Sequence, residues 1–351
     1  MFVPVIDRNN KPLMPTKPSR ARKWIKSGKA TPFWHKGIFC VRLNVEPSGN
    51  ILEPIAVGID PGSKKEAFTV KSESHTYLNI QADAVTWVKD AVKTRREMRR
   101  GRRFRKTPCR KPRFNRAKGG LAPSTKARWQ WKLRICKWLK NMFPITDFVV
   151  EDIAAVTKKG KRKWNKSFSP LEIGKKWFYT ELEKLGNVYT LKGYETKELR
   201  DSYGLKKSRN KLAETFDTHC VDSWVLANWQ VGGHTSVDNK EMLLVVPLQF
   251  HRRQLHALQP AKGVRCAHRR LRLTGIRRNY GGTRSMGFKR GSYVKHSKHG
   301  VCFVGGASKG SISLHSLENG KRLCQKAKPE DCKFLTYTSF RTRRLATSSP
   351  P

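Results

Sequence analysis

At 351 residues the chain is long enough for two or three domains, one of them with a sizeable core. Lys and Arg total 74 against 26 Asp and Glu, a formal net charge of +48, and the excess recurs at 20–29, 93–118, 158–166, 206–211, 252–278 and 341–344. Cations spread this widely fit a partner with an extended phosphate surface. They exclude a membrane-surface protein, which would show one amphipathic helix or juxtamembrane cluster, and no apolar run approaches the ~18 residues of a membrane span. The start, MFVPVIDRNN, lacks the basic and apolar regions of a secretory signal. Eight scattered cysteines never form C-x-x-C, which argues against a zinc ribbon or a disulfide scaffold and reads as reduced thiols of a cytoplasmic protein.

In chain order, the first 50 residues read as a small basic unit. A strand over 2–6 leads through Asn9-Asn10-Lys11-Pro12 into Leu13-Met14-Pro15, then a short helix carrying Arg20, Arg22, Lys23, Lys26 and Lys29 ends near Gly28. One aromatic-rich strand is expected over 32–43. Residues 54–60 form a buried-type apolar strand ending in Asp60 and the turn Pro61-Gly62, and 66–71 and 76–82 continue a meander. Val85, Val88 and Val92 begin a helix that runs into residues 93–118, where 14 of 26 residues are Lys or Arg and Glu97 is the lone acid. So dense a run repels itself and calls for a polyanion.

A second helix is expected over 124–142, with Ser124 as N-cap, Pro144 as stop, and Trp131, Ile135, Trp138, Leu139 and Met142 on its apolar face. Residues 145–153 form another buried strand, ending in Glu151-Asp152. A helix over 177–185, a strand over 187–193 and an apolar helix over 215–229 follow, giving strands and helices around one core. Residues 241–250 read as a linking strand. Short strands between Gly, Ser, Asn and Asp turns then suggest a β-barrel-like domain, and 341–351 a disordered tail.

Asp60, Glu151, His219 and Asp222 form the candidate catalytic set, with Asp60, Glu151 and Asp222 as metal ligands. Two-metal phosphodiester cleavage needs several carboxylates held close together, with metals ~4 Å apart, one activating water and one stabilising the leaving oxygen. Hard oxygen ligands suit Mg²⁺. Asp60 and Glu151 each close an apolar strand, and His219 and Asp222 are three apart on one helix and share a face. His219 is then placed as the base for the attacking water. Each residue also has an ordinary role as a turn acid, an exposed loop acid or a satisfied helix histidine, and Asp217 competes with Asp222 for the third ligand. The phosphate-loop pattern G-x-x-x-x-G-K-[ST] is missing, which leaves metal-dependent cleavage ahead of phosphate-loop chemistry.

Ile55-Ala56-Val57-Gly58-Ile59-Asp60-Pro61-Gly62, Phe148-Val149-Val150-Glu151-Asp152 and His219-Cys220-Val221-Asp222 resemble, in order, the three RuvC motifs of RNase H-like nucleases. The arginine-rich run resembles the bridge helix of RNA-guided nucleases, and Pro12-Leu13-Met14-Pro15 matches the signature of the PLMP group. The set resembles the transposon-encoded IscB and IsrB proteins over most of the chain, most weakly after Asn239. IscB carries an HNH domain between its second and third motifs. Here Glu151 and His219 are 68 residues apart, in an interval read as one basic loop, one helix and one strand, so the resemblance is to the HNH-less form, IsrB.

The resemblance implies an α/β fold: an RNase H-like (RuvC) mixed-sheet core interrupted by an arginine-rich bridge helix, with a small N-terminal PLMP domain and a small β-rich C-terminal domain. The implied boundaries are PLMP 1–52, core 53–84, bridge helix 85–118, core 119–195 and 196–239, a target-adjacent-motif-interacting domain 240–340, and a tail 341–351. It implies a monomeric protein in a ribonucleoprotein, binding a guide (omega) RNA and double-stranded target DNA with an adjacent motif, and nicking the non-target strand with two Mg²⁺ ions, or Mn²⁺ as substitute. Arg95, Arg96, Arg99, Arg100, Arg102, Arg103, Arg105, Arg110 and Arg113 would hold RNA, with Phe104 and Phe114 able to stack on bases. Arg272, Arg277, Arg278, Arg284 and Lys289 would contact DNA. Two alternatives stand beside it: a guide-independent, structure-selective nuclease of the Holliday-junction type, and a non-catalytic RNA-binding protein.

Overall fold

The computed structural model describes residues 2–47, 49, 52–105, 120–155, 169–249, 284–308 and 310–345. At the N-terminus β1 (Val3–Ile6) and β2 (Pro12–Thr16) pair antiparallel. Helix α1 (Pro18–Lys26) follows, then β3 (Ala30–His35) and β4 (Ile38–Leu43), in the order β2-β1-β4-β3. Val3, Val5, Val41 and Leu43 of the sheet bury Ala21 of α1, with Trp24 and Ile25 half-buried beside them. The helix keeps Arg20, Arg22, Lys23 and Lys26 exposed. The single strand expected over 32–43 is instead a hairpin. Register pairs His35 with Ile38 across Lys36-Gly37, both at positive φ (50° and 92°). This two-residue turn matches strand twist, but lysine in it carries no turn signal.

The core begins with an antiparallel meander, β5 (Ile55–Asp60), β6 (Lys65–Ser72) and β7 (Thr76–Asp83). Helices α2 (Trp87–Phe104) and α3 (Pro123–Lys140) lead to β8 (Ile145–Asp152), parallel to β5. Then come α4 (Pro170–Glu183), β9 (Asn187–Lys192) parallel to β8, α5 (Gly193–Ser202), α6 (Phe216–Val231) and β10 (Met242–Pro247) parallel to β7. The inner five strands run β7-β6-β5-β8-β9 with only β6 reversed, the RNase H-like arrangement.

Strand alternation sorts the faces. Thr69 of β6 meets Ser223 of α6 at 2.8 Å, whereas Glu66, three residues away, meets Lys132 of α3 at 2.7 Å. So α6 covers one face and α3 the other. Gly58 lets α6 approach β5: a Cβ there would lie 1.9 Å from the Ser223 carbonyl oxygen. Trp131, Ile135, Trp138, Leu139 and Met142 are all buried, as their spacing predicts.

Several boundaries differ from expectation. α3 starts on Pro123 after Ala122, which offers no capping side chain, so Ser124 is inside the helix. α4 starts seven residues before the expected 177, where the Ser169 hydroxyl accepts the Glu172 amide at 3.1 Å. α5 was not expected; its polar sequence buries only Thr196 among its own residues, and so carries little apolar periodicity. The stretch expected to link domains, β10, lies inside the seven-stranded sheet, order β18-β10-β7-β6-β5-β8-β9. Its outer neighbour β18 (Phe340–Leu345) takes residues expected in a disordered tail. Both depend on pairing across the chain, which local pattern does not encode.

Residues 248–341 form a second compact unit. Within it β11 (Arg284–Ser285) and β12 (Phe288–Lys289) make a hairpin, and β13 (Ser292–His296), β14 (Gly300–Ser308), β15 (Ser311–Ser316), β16 (Arg322–Ala327) and β17 (Cys332–Tyr337) an antiparallel sheet. Among the described residues, where a barrel was expected, the five strands make an open sheet, order β16-β15-β14-β13-β17, over a core of Val294, Cys302, Val304, Ile312 and Leu314. No described helix is long and apolar enough to cross a membrane. The described cysteines, Cys40, Cys136, Cys220, Cys302, Cys324 and Cys332, are free thiols.

Candidate active site and nucleic-acid interface

The register Ile59↔Val150 sets the ends of β5 and β8 side by side, so Asp60 and Glu151 neighbour one another. Alternation turns both toward α6, as Val149 does when it packs on Leu226. From α6 comes Asp222, buried beneath the sheet edge. One carboxylate oxygen from each of Asp60, Glu151 and Asp222 lies within 4.8 Å of the others. His219, one turn before Asp222, places Nδ1 2.9 Å from Asp60 Oδ2 and Nε2 3.2 Å from the Lys211 carbonyl oxygen. All four candidates therefore meet at one point. The competitor does not: Asp217 is exposed. Asp152, next to Glu151, is held instead by Tyr179 at 3.0 Å and Lys175 at 2.7 Å on α4.

Two cations absent from the expected set complete the cluster. Arg200 Nη1 on α5 donates to Asp222 Oδ1 at 2.7 Å, and the Lys207 ammonium donates to Asp222 Oδ2. Lys207 stood in a run noted only as basic; its pairing across 15 residues had no local signature. Gly193, at the start of α5, adjoins the site: a Cβ there would sit 2.9 Å from Glu151 Oε1.

Asp60 and Glu151, this close, divide their protons unequally. Burial raises the Asp60 carboxyl, but the His219 hydrogen bond and the Lys207 charge outweigh it and hold the group below its usual value. Glu151 is pushed up to about 8 by burial, then by the Asp60 charge and their shared hydrogen bond, and by Asp222, against the pull of Lys207. The donor set is all carboxylate oxygen, partly buried and backed by cations, which fits a hard divalent cation such as Mg²⁺ or Mn²⁺.

Helix α2 makes the candidate nucleic-acid surface. Arg95, Arg96, Arg99, Arg100, Arg103 and Arg105 are exposed, as is Phe104 at 89 %. At ~100° per residue, the first five of these arginines fall within an arc of ~140°, with Glu97, Gly101 and Phe104 opposite. Arg102 lies in the same helix. The described part of the cationic run is thus a helix with one broad basic side rather than a compact element. Arg110, Arg113 and Phe114 lie outside the described residues. Of the candidate DNA contacts, Lys289 on β12 sets its ammonium 5.0 Å from the Tyr337 ring, and Arg284 lies on β11. Arg272, Arg277 and Arg278 are outside the described residues.

An RNase H-like sheet with three carboxylates converging between the ends of β5 and β8 and a covering helix has the core and acidic cluster of a RuvC-type nuclease. The profile of a family described as RRXRR protein matches residues 3–165, a span that includes Asp60, Glu151 and the literal run Arg99-Arg100-Gly101-Arg102-Arg103. Among solved structures, T. thermophilus RuvC in complex with Holliday junction substrate aligns with 51 % of this chain and 97 % of its own, at 12 % identity and a TM-score of 0.27. The strand order, not that distant alignment, carries the fold. No curated protein matches the chain.

Proposed function

We propose that the chain is an RNA-guided DNA endonuclease of the IsrB kind, a Mg²⁺-dependent nickase that cuts the non-target strand of an R-loop held on an omega RNA. The observation that carries this reading is the placement of α2: a helix with an exposed arginine side is inserted between the two strands that deliver Asp60 and Glu151. A nuclease that only needed to grip DNA could place cations anywhere. Cations threaded between catalytic motifs hold a second polyanion at a set position beside the cut. Guide pairing then supplies sequence choice, while the protein reads backbone and shape. Among the described residues the acidic trio is the one cluster suited to a metal, which supports single-strand cutting.

Asp60, Glu151 and Asp222 would hold the ions. When bound, divalent metal lowers the cost of generating the attacking hydroxide and of the charge on the leaving oxygen. The chain's own groups do the rest. His219 orients Asp60 through Nδ1, and its service as a base requires Nε2 to leave the Lys211 carbonyl oxygen. Arg200 fixes Asp222 from behind, and Lys207 offers an ammonium within reach of a phosphate once Asp222 engages metal.

The test is co-expression with flanking non-coding DNA, sequencing of bound RNA, and an assay on supercoiled plasmid bearing the guide match. Open-circle product is expected only with RNA, match and Mg²⁺, and is lost in Asp60→Ala. Nicking without RNA would replace the proposal with a structure-selective nuclease. Bound RNA with no metal-dependent product would replace it with a binding protein.

A further inference from the structure

One of the two cations at the carboxylate cluster lies outside every helix and strand. Lys207 belongs to the chain between α5 and α6, where residues 203–215 are turns and loop. The backbone on either side is fixed: the Leu205 amide donates to the Arg200 carbonyl oxygen at 3.1 Å, and the Ser208 amide to the Asp217 carbonyl oxygen at 2.8 Å. Between these anchors the Lys207 side chain reaches the acids, and its ammonium donates to Asp222 Oδ2. Arg200 holds the other oxygen, Oδ1. The Asp222 side chain is 2 % exposed, so both of its oxygens are spent on cations where water barely reaches.

Lys207 acts on all three carboxylates. Burial opposes its charge, but Asp60, then Asp222 and Glu151, outweigh that and hold the ammonium above its usual value. Asp60 and Glu151 feel the same charge in return. The ammonium thus faces the three groups whose oxygens, within 4.8 Å of one another, an ion would bridge. Its side chain is also the freer of the two, 30 % exposed against 14 % for Arg200, on a flexible four-carbon stem rather than a planar fork. A divalent ion bonds a carboxylate oxygen at about 2.1 Å. Ion and ammonium on one oxygen would set like charges against each other with little water between them.

We propose that Lys207 stands in for the ion: its ammonium neutralises the cluster before metal arrives, and leaves Asp222 Oδ2 when metal binds. The inference rests on the metal-site reading above and adds a threshold to it. Capture of an ion becomes an exchange of cations, so Lys207 weakens metal binding and sets how much free Mg²⁺ arms the site. Arg200 stays in place and only aims Asp222.

The experiment uses the full chain and no cleavage assay. Mn²⁺ affinity is read from the paramagnetic resonance signal of the free ion, with Asp60→Ala as background. In Lys207→Met the affinity should rise at least about tenfold, the low end for one charge-assisted hydrogen bond no longer broken on binding. Arg200→Met also removes one positive charge, but it frees Asp222 to wander, so its affinity should fall about tenfold or more. The exchange itself is read in wild type by a pulse of N-hydroxysuccinimide acetate and mass spectrometry. Saturating Mg²⁺ should raise acetylation of Lys207 several-fold relative to Lys93, which is exposed on α2 with or without metal. Mn²⁺ binding that is no tighter in Lys207→Met, or Lys207 acetylation unmoved by Mg²⁺, overturns the inference and leaves the nuclease reading standing. Equal rises in the two variants overturn it as well, since Lys207 would then act by charge alone. No Mn²⁺ binding above background in wild type or in Lys207→Met overturns both.

Discussion

Glu151 governs how the acidic cluster takes up metal, and its proton can be counted. A carboxyl held at about 8 is about nine-tenths protonated at pH 7. A divalent cation needs the carboxylate, so binding at pH 7 expels about 0.9 proton from this group, falling to about 0.1 at pH 9. The affinity of the metal-free protein for Mn²⁺ should therefore rise nearly tenfold from pH 6 to 7, several-fold more to pH 8, and level above about pH 9. Isothermal titration in buffers of different ionisation enthalpy reads the proton count directly, without any cleavage. Glu151→Gln removes that proton, so its release at pH 7 should be lost together with most of the affinity. The linked stability has a definite sign. The folded carboxyl sits above its ordinary 4.5, so the folded, metal-free protein binds this proton more tightly than the unfolded chain. The stability from Glu151 is present below about 4.5 and is lost as pH rises to about 8. The melting temperature of wild type relative to Glu151→Gln should fall across that window. A release below about 0.3 proton at pH 7, or an undiminished release in Glu151→Gln, would refute this reasoning.

Other perturbations follow from the same geometry. The Lys132–Glu66 pair is buried at 2.7 Å and joins α3 to β6. Lys132→Met should cost ~3–5 kcal/mol by stranding a buried carboxyl, and adding Glu66→Gln should restore much of it, as measured by urea unfolding. Equal destabilisation in single and double variants would show that the pair is not coupled. Gly58→Ala places a methyl against the Ser223 carbonyl and should displace α6, costing at least ~1–3 kcal/mol and weakening Mn²⁺ binding through Asp222. Unchanged metal affinity would mean that α6 does not set the site. Replacing Arg96, Arg99 and Arg103 together with Gln removes exposed charge only, so the melting temperature should hold. The slope of log affinity for single-stranded RNA against log salt should shrink by ~2. An unchanged slope would remove α2 from the interface.

How much was legible depends on whether the signal was local. Asp60 and Glu151 were readable because each ends an unbroken apolar strand, and a buried parallel strand has few other ways to end in acid. His219 and Asp222 were readable because three residues on a helix set one face. The arginine helix announced itself by composition. Arg200 and Lys207 were not readable: α5 buries little, and a lysine in a basic run says nothing of which acid it will meet. The hairpin at Lys36-Gly37 was hidden because apolar residues continue on both sides. β10 and β18 were mistaken for linker and tail because edge pairing comes from partners far along the chain.

The basic run between Asp60 and Glu151 thus has a dual origin. Its charge, its position between two motifs and the short interval before His219 belong to the sequence alone, because composition and spacing survive without a fold. That Asp60, Glu151 and Asp222 lie within 4.8 Å of one another, that Glu151 keeps a proton, and that Lys207 and Arg200 balance Asp222 were decided only by tertiary structure. Proximity and desolvation arise when β5, β8 and α6 pack. No residue carries either in isolation.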